Sequence, residues 1–204
     1  MAYSDFTLAE LKQRFGLTVS ESVNLFGDLA AVELPKSLAA TLERYLPLAI
    51  NANTEKARSE LIIAPVLIEL KLLYADRISL FSGIEFTIDE SMGLKGRCDY
   101  ILAQSPEQLT LSDPVCTLVE AKNENILAGI PQCLAEMVAA RQFNRSAQTP
   151  ERAVFGAVTT GMIWRFLKLD GATAFVDTVE YPIQAAGKIF AILTAVALEN
   201  RPAR

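Results

Sequence analysis

Residues 117–122 read TLVEAK. Side chains in a strand alternate between the two faces, so Thr117, Val119 and Ala121 share one side. Leu118, Glu120 and Lys122 share the other, which sets a carboxylate and an amine side by side. Ala121 offers only its backbone carbonyl in that direction. Asp99 lies in an earlier stretch, GRCDYIL, entered through Gly96 and followed by the apolar run Tyr100, Ile101 and Leu102. If the two stretches are neighbouring strands, Asp99 and Glu120 converge. Converging carboxylates repel, and a cation between them lowers that cost. Two carboxylates, a carbonyl and several waters make an oxygen-only set of the kind Mg2+ accepts, with Mn2+ as a substitute. An ion held this way lowers the pKa of a bound water and stabilises charge on a phosphodiester. Lys122 beside it would position that water or neutralise developing negative charge. The plain alternative is a solvated Glu–Lys pair on an ordinary strand.

Composition narrows the chemistry. The 204 residues include no histidine, which removes Ser-His-Asp and Cys-His catalysis, histidine general bases and the usual zinc sites. Three scattered cysteines, Cys98, Cys116 and Cys133, suit small buried hydrophobes in a reducing compartment better than a disulfide framework. Hydrophobic residues at 51% and charged residues at 21% fit a folded domain, and the length suits one substantial core. No apolar run approaches the roughly 20 residues that span a bilayer, so no membrane association is expected. The opening MAYSDFTLAELKQRF lacks the basic-then-apolar order of a signal peptide, and a cytoplasmic protein is the expectation. A net charge of −5 argues against coating nucleic acid by bulk electrostatics, although a local basic cleft is compatible with it.

The elements that must position these residues can be read from periodicity. Phe6, Leu8, Leu11 and Phe15 space as one face of a helix ending near Gly16, and a second helix follows Pro35 with Leu38, Leu42, Tyr45 and Leu46 inward. A third begins near Asn53 or Thr54 and runs through EKARSELIIAPVLIELKLLY, where Pro65 predicts a kink or break. From Ile78 the texture turns to strands: ISLFSGIEFTIDE, GRCDYILAQ and TLVEAK. A helix with Pro131 in its first turn comes next, burying Leu134, Met137, Val138 and Phe143. AVFGAVTTG, MIWRFLKLD and AFVDTVEYP read as three more strands before a closing helix, IQAAGKIFAILTAVALEN. The expected class is α/β (α+β): a mixed sheet flanked by helices. Residues 1–53 form an N-terminal helical extension packed on a core at 54–204.

The order GRCDYIL then LVEAKNEN resembles the PD-(D/E)XK nuclease superfamily, the restriction-endonuclease-like fold, over roughly residues 54–180. The resemblance implies a metal-dependent nuclease, with Asp99 and Glu120 as Mg2+ ligands, the Ala121 carbonyl completing the protein's share, and Lys122 as the catalytic lysine. Glu60, in EKARSELIIAPVL, matches the glutamate that many members place on the helix before the sheet and would bind metal directly or through water. Gln132, in GIPQCLAEMVAA, is similar to the glutamine that RecB-related members add on the following helix. Two features depart from the pattern: Glu136 stands where some of those members carry tyrosine, and Cys98 replaces the proline before Asp99. VTTGMIWRFLKL resembles the paired strands that follow the site in restriction-type members. The order EKARSE, EAK and QC-x-A-x-M also resembles a group of largely cyanobacterial proteins, a likeness that brings no function with it.

Three classes stay open at this point. One is a Mg2+-dependent endonuclease whose partner is DNA, gripped by a basic rim drawn from Arg58, Lys95, Arg97, Arg141 and Arg145. Another is a catalytically silent relative that binds nucleic acid or protein. The last is a structural α/β protein. Trp164 and Phe166 suit strand packing better than base stacking. The closing helix, with Ile183, Phe190, Ile192 and Leu193, would pack on the sheet or form a homodimer seam.

Overall fold

Thr7 opens helix α1 (Leu8–Phe15) through a capping box with Glu10, and Gly16 at φ 64° closes it. The next element is a short strand, β1 (Thr18–Ser20), in the stretch between the two expected helices, too short to show a period of its own. Helix α2 (Lys36–Ala52) follows Pro35, buries Leu38 and Leu42, and ends at Asn53 in the left-handed region, φ 50°. The Thr54 side chain accepts a bond from Ala57 N and starts α3 (Glu55–Arg58). A π-helical turn, Ser59–Ile63, then joins α3 to α4 (Ala64–Leu73). Pro65 has no N–H and its ring crowds the carbonyl of Leu61, and here the backbone widens ahead of it instead of breaking. The computed structural model describes residues 1–198.

Strands β2 (Ser79–Glu85), β3 (Arg97–Ala103) and β4 (Val115–Ala121) are consecutive antiparallel neighbours. Helix α5 (Ile126–Ser146) then crosses back to β5 (Val154–Thr159), which runs parallel to β4. β6 (Ile163–Asp170) and β7 (Thr173–Pro182) continue as an antiparallel meander. Helix α6 (Ala186–Leu198) follows. One seven-stranded mixed sheet results, in the order β1-β7-β6-β5-β4-β3-β2, with β1 parallel to β7 at the edge. The class is mixed α/β.

Helices cover both faces of this sheet. On one, Leu38, Ile62, Leu67, Ile192 and Leu193 pack against Val119, Ala157, Trp164 and Phe166. On the other, Leu134, Met137 and Val138 of α5 pack with Leu118, Val158 and Leu167. Trp164 and Phe166 stack 6.3 Å apart and are buried, so both serve strand packing. Ile183, Phe190, Ile192 and Leu193 are buried too, and the closing helix packs onto the sheet. Residues 1–53 are more than a helical extension. β1 completes the sheet, Tyr3, Phe6 and Leu11 join the core beneath α5, and Leu38 and Leu42 join the opposite one.

Helix α5 begins five residues before Pro131. Asn125 caps it by accepting from Ala128 N at 3.2 Å, so Pro131 lies inside the helix, not in its first turn. The carbonyl of Leu127 loses its helical partner there, and that residue faces solvent, where water replaces the bond. The cap was hidden in the polar run Asn123, Glu124 and Asn125. Among the described residues, no helix is long and apolar enough to cross a membrane.

Candidate functional site

The pairing of β3 with β4 fixes where the acidic residues meet. Tyr100 opposes Val119 and Ile101 opposes Leu118. The pairing ends there, and Asp99 and Glu120 are the next residues of their strands. Glu120 shares the face of Leu118, beneath α5, whereas Val119 and Ala121 pack on the other side. Farther along the pair the register shifts, so that Leu102 opposes Thr117 and Ala103 opposes Val115. Cys116 is therefore the extra residue of a bulge, placed away from the carboxylates. One Asp99 oxygen, Oδ2, accepts from the backbone N–H of Ala121 at 2.8 Å. That N–H is the group by which Ala121 engages the site's carboxylates.

Lys122 follows the end of β4, anchored by its N–H to the Thr159 carbonyl at 2.8 Å. Its Nζ donates to Glu120 Oε1 at 2.6 Å and to Gln132 Oε1 at 2.9 Å. Gly129 makes room for this lysine under α5. A Cβ at position 129 would lie 2.6 Å from Val158 Cγ1 and 3.0 Å from Lys122 Cγ. Gln132 in turn donates from Nε2 to Glu136 Oε1 at 3.2 Å. Glu136 is fully buried and Glu120 is 2% exposed. In each, Oε2 is buried and receives no bond from an N–H or hydroxyl group. The two carboxyls are close enough for the charge of Glu120 to disfavour ionisation of Glu136.

Electrostatics follow from that crowding. Burial, and then the Asp99 charge, push the Glu120 carboxyl up to about 7, against the pull of Lys122. Burial, and then the Glu120 charge, raise Glu136 well above the carboxylate range. For Lys122, burial works against the charged form, but the charge and hydrogen bond of Glu120 outweigh it and the amine is raised. Each partner thus favours the charged form of the other, and for Glu120 burial and Asp99 outweigh that help. The three cysteines are free and buried, and burial is the largest cause raising each thiol, Cys116 to about 12. They behave as core residues.

Glu60, unlike Glu120 and Glu136, is not buried. It lies in the π-turn on the Tyr100 side, is largely exposed, and pairs with Lys56 at 3.4 Å. Its neighbour Ser59 holds the Tyr100 hydroxyl at 2.7 Å. Four of the residues expected as a basic rim have partners of their own: Lys95 pairs with Glu90, Arg97 with Glu85 and Arg145 with Glu151, while Arg141 donates to the Gly171 carbonyl. Arg58 stands beside the loop that follows Lys122. Its guanidinium donates to the Asn123 carbonyl and to Asn53 Oδ1, tying the loop after Lys122 to the end of α2.

The sequence reading missed Glu136 as a member of the site, treating it only as a departure from a motif. A usable signal existed: Glu136 lies four residues after Gln132, hence on the same helical face, and interrupts an otherwise apolar run, CLAEMVAA.

The chain matches no known family model and no curated protein. Its chemistry must be argued from the site itself. Among the described residues, no group of three histidine, cysteine, aspartate or glutamate side chains is arranged to hold an ion. Magnesium does not require such a cage: it keeps several waters and often takes only one or two carboxylates. Asp99 and Glu120 fit that demand, being hard oxygen donors on one face, with a buried Glu120 oxygen that has no donor.

Proposed function

We propose that this chain is a restriction-endonuclease-like, divalent-cation-dependent nuclease that hydrolyses DNA phosphodiester bonds. The observation that carries this reading is the convergence of Asp99, Glu120 and Lys122 from adjacent strands beneath one helix. Asp99 and Glu120 would hold Mg2+, or Mn2+ in its place. When bound, the cation supplies charge that acidifies a water and offsets negative charge on the phosphodiester. Lys122 keeps a positive charge beside the carboxylates, where an anionic substrate meets it. The Ala121 N–H fixes one Asp99 oxygen, and Gln132 aims the lysine. Arg58 fixes the loop that follows, which limits how far Lys122 can drift.

A second reading, a silent nuclease-fold subunit that binds nucleic acid or protein, has its own support. Several basic residues are already neutralised by acidic neighbours, and the net charge is −5. Incubation with supercoiled, linear duplex and single-stranded DNA separates the two. The nuclease reading expects cleavage in Mg2+ or Mn2+ and none in excess chelator. Protein that is inert on every form and binds no Mn2+ would move the assignment to the binding subunit.

A further inference from the structure

Glu136 occupies a position where an apolar residue would be the inexpensive choice. Its α5 neighbours Ala135, Met137, Ala139 and Ala140 are all fully buried, as are Cys98 and Cys133. A leucine or methionine would fill similar space without dehydrating a carboxyl. What distinguishes Glu136 is what it bonds. Its Oε1 accepts from Gln132, Gln132 accepts from Lys122, and Lys122 donates to Glu120. The remaining Glu136 oxygen is buried without a donor.

We propose that Glu136 is a positioning residue: it anchors the end of a chain, Glu120–Lys122–Gln132–Glu136, that holds Gln132 and through it fixes the Lys122 amine against the Glu120 carboxyl. It acts through its hydrogen-bonding shape and is not a ligand of the cation. The inference rests on the nuclease reading only for its cation-affinity arm.

The Lys122 ammonium gives a readout that needs no cation. Its 1H–15N signal survives exchange with solvent while its protons are held in hydrogen bonds, and Lys122→Ala assigns it. Glu136→Gln keeps an acceptor for Gln132, so the signal persists and Mn2+ affinity is retained. Glu136→Leu removes the acceptor at the end of the chain, the signal is lost, and Mn2+ affinity falls about 10- to 100-fold. Gln132→Leu, at a partly buried position, breaks the same chain and gives the same loss of signal. It keeps the test decisive should Glu136→Leu fail to fold. A Glu136→Gln protein that no longer binds Mn2+ would make Glu136 a ligand and overturn the proposal. So would an unchanged Lys122 signal in a folded Glu136→Leu or Gln132→Leu protein. Wild type without Mn2+ affinity ends the cation reading alone, and the Lys122 signal still decides the role of Glu136.

Discussion

Lys122→Ala lowers cation-dependent DNA cleavage by about 10²- to 10³-fold, the usual cost of removing a fixed donor that stabilises developing charge. The fold should survive. Lys122 follows the last residue of β4, and its anchoring bond to Thr159 is made by the backbone N–H, which alanine keeps. What the variant loses is the amine between Glu120 and Gln132. Glu120 is then a buried carboxyl without a cationic partner and avoids the cost by holding its proton. The variant therefore unfolds near the wild-type temperature in mildly acidic buffer and earlier in alkaline buffer. Cleavage and thermal unfolding measured on the same preparations separate the two effects. Equal cleavage by both proteins would mean that Lys122 takes no part and that the activity arises elsewhere.

Stability of the cation-free protein falls between pH 5 and pH 8. Glu120 has a folded-state pKa of about 7 against an ordinary 4.5, so across that window the folded protein binds more protons than the unfolded chain. The slope of stability against pH is then negative. The contribution of Glu120 is fully present below about 4.5 and is lost as pH rises through about 7. At 1.36 kcal/mol per pH unit the loss is about 3 kcal/mol. That corresponds to roughly 5–10 °C in melting temperature for a chain of this size. Glu136 is raised as well and works in the same direction. Glu10, Asp89 and Glu107 are lowered, so the stability they bring is lost only as pH falls through the acid range, outside this window. Glu120→Gln removes much of the slope, and saturating Mg2+ reduces it, because the ionised carboxylate then has a counter-charge. A melting temperature that is flat or rising from pH 5 to 8, and equal in Glu120→Gln, would contradict the assigned burial of Glu120.

Parts of this site were legible because they depend on one strand alone. The period of two places Glu120 and Lys122 on one face of TLVEAK, and the structure puts the lysine 2.6 Å from the glutamate. Where Asp99 falls was not legible, since it depends on the β3–β4 register. That register is set by the connection at 104–114 and by the bulge at Cys116. The burial of Glu136 and the exposure of Glu60 were not legible for a similar reason. Which helical carboxyl reaches the cluster depends on how each helix is laid against the sheet. The π-turn leaves Glu60 exposed, while α5, begun early at Asn125, carries Glu136 inward. β1 escaped because three residues carry no period, and its only warrant is the long-range pairing of Thr18 with Thr173. The scattered basic residues follow the same logic, each being settled by a partner such as Glu90, Glu85 or Glu151.

The central claim is that Asp99 and Glu120 together hold one divalent cation, and Mn2+ calorimetry of wild type beside Asp99→Asn addresses it most directly. Asparagine keeps an oxygen that can accept the Ala121 N–H, now taken by Asp99 Oδ2, so this variant removes charge while preserving the strand pairing. The account predicts a single Mn2+ site in wild type and a loss of about 100-fold or more in affinity in Asp99→Asn. No Mn2+ binding by the wild-type protein, or equal binding by the two, would contradict it.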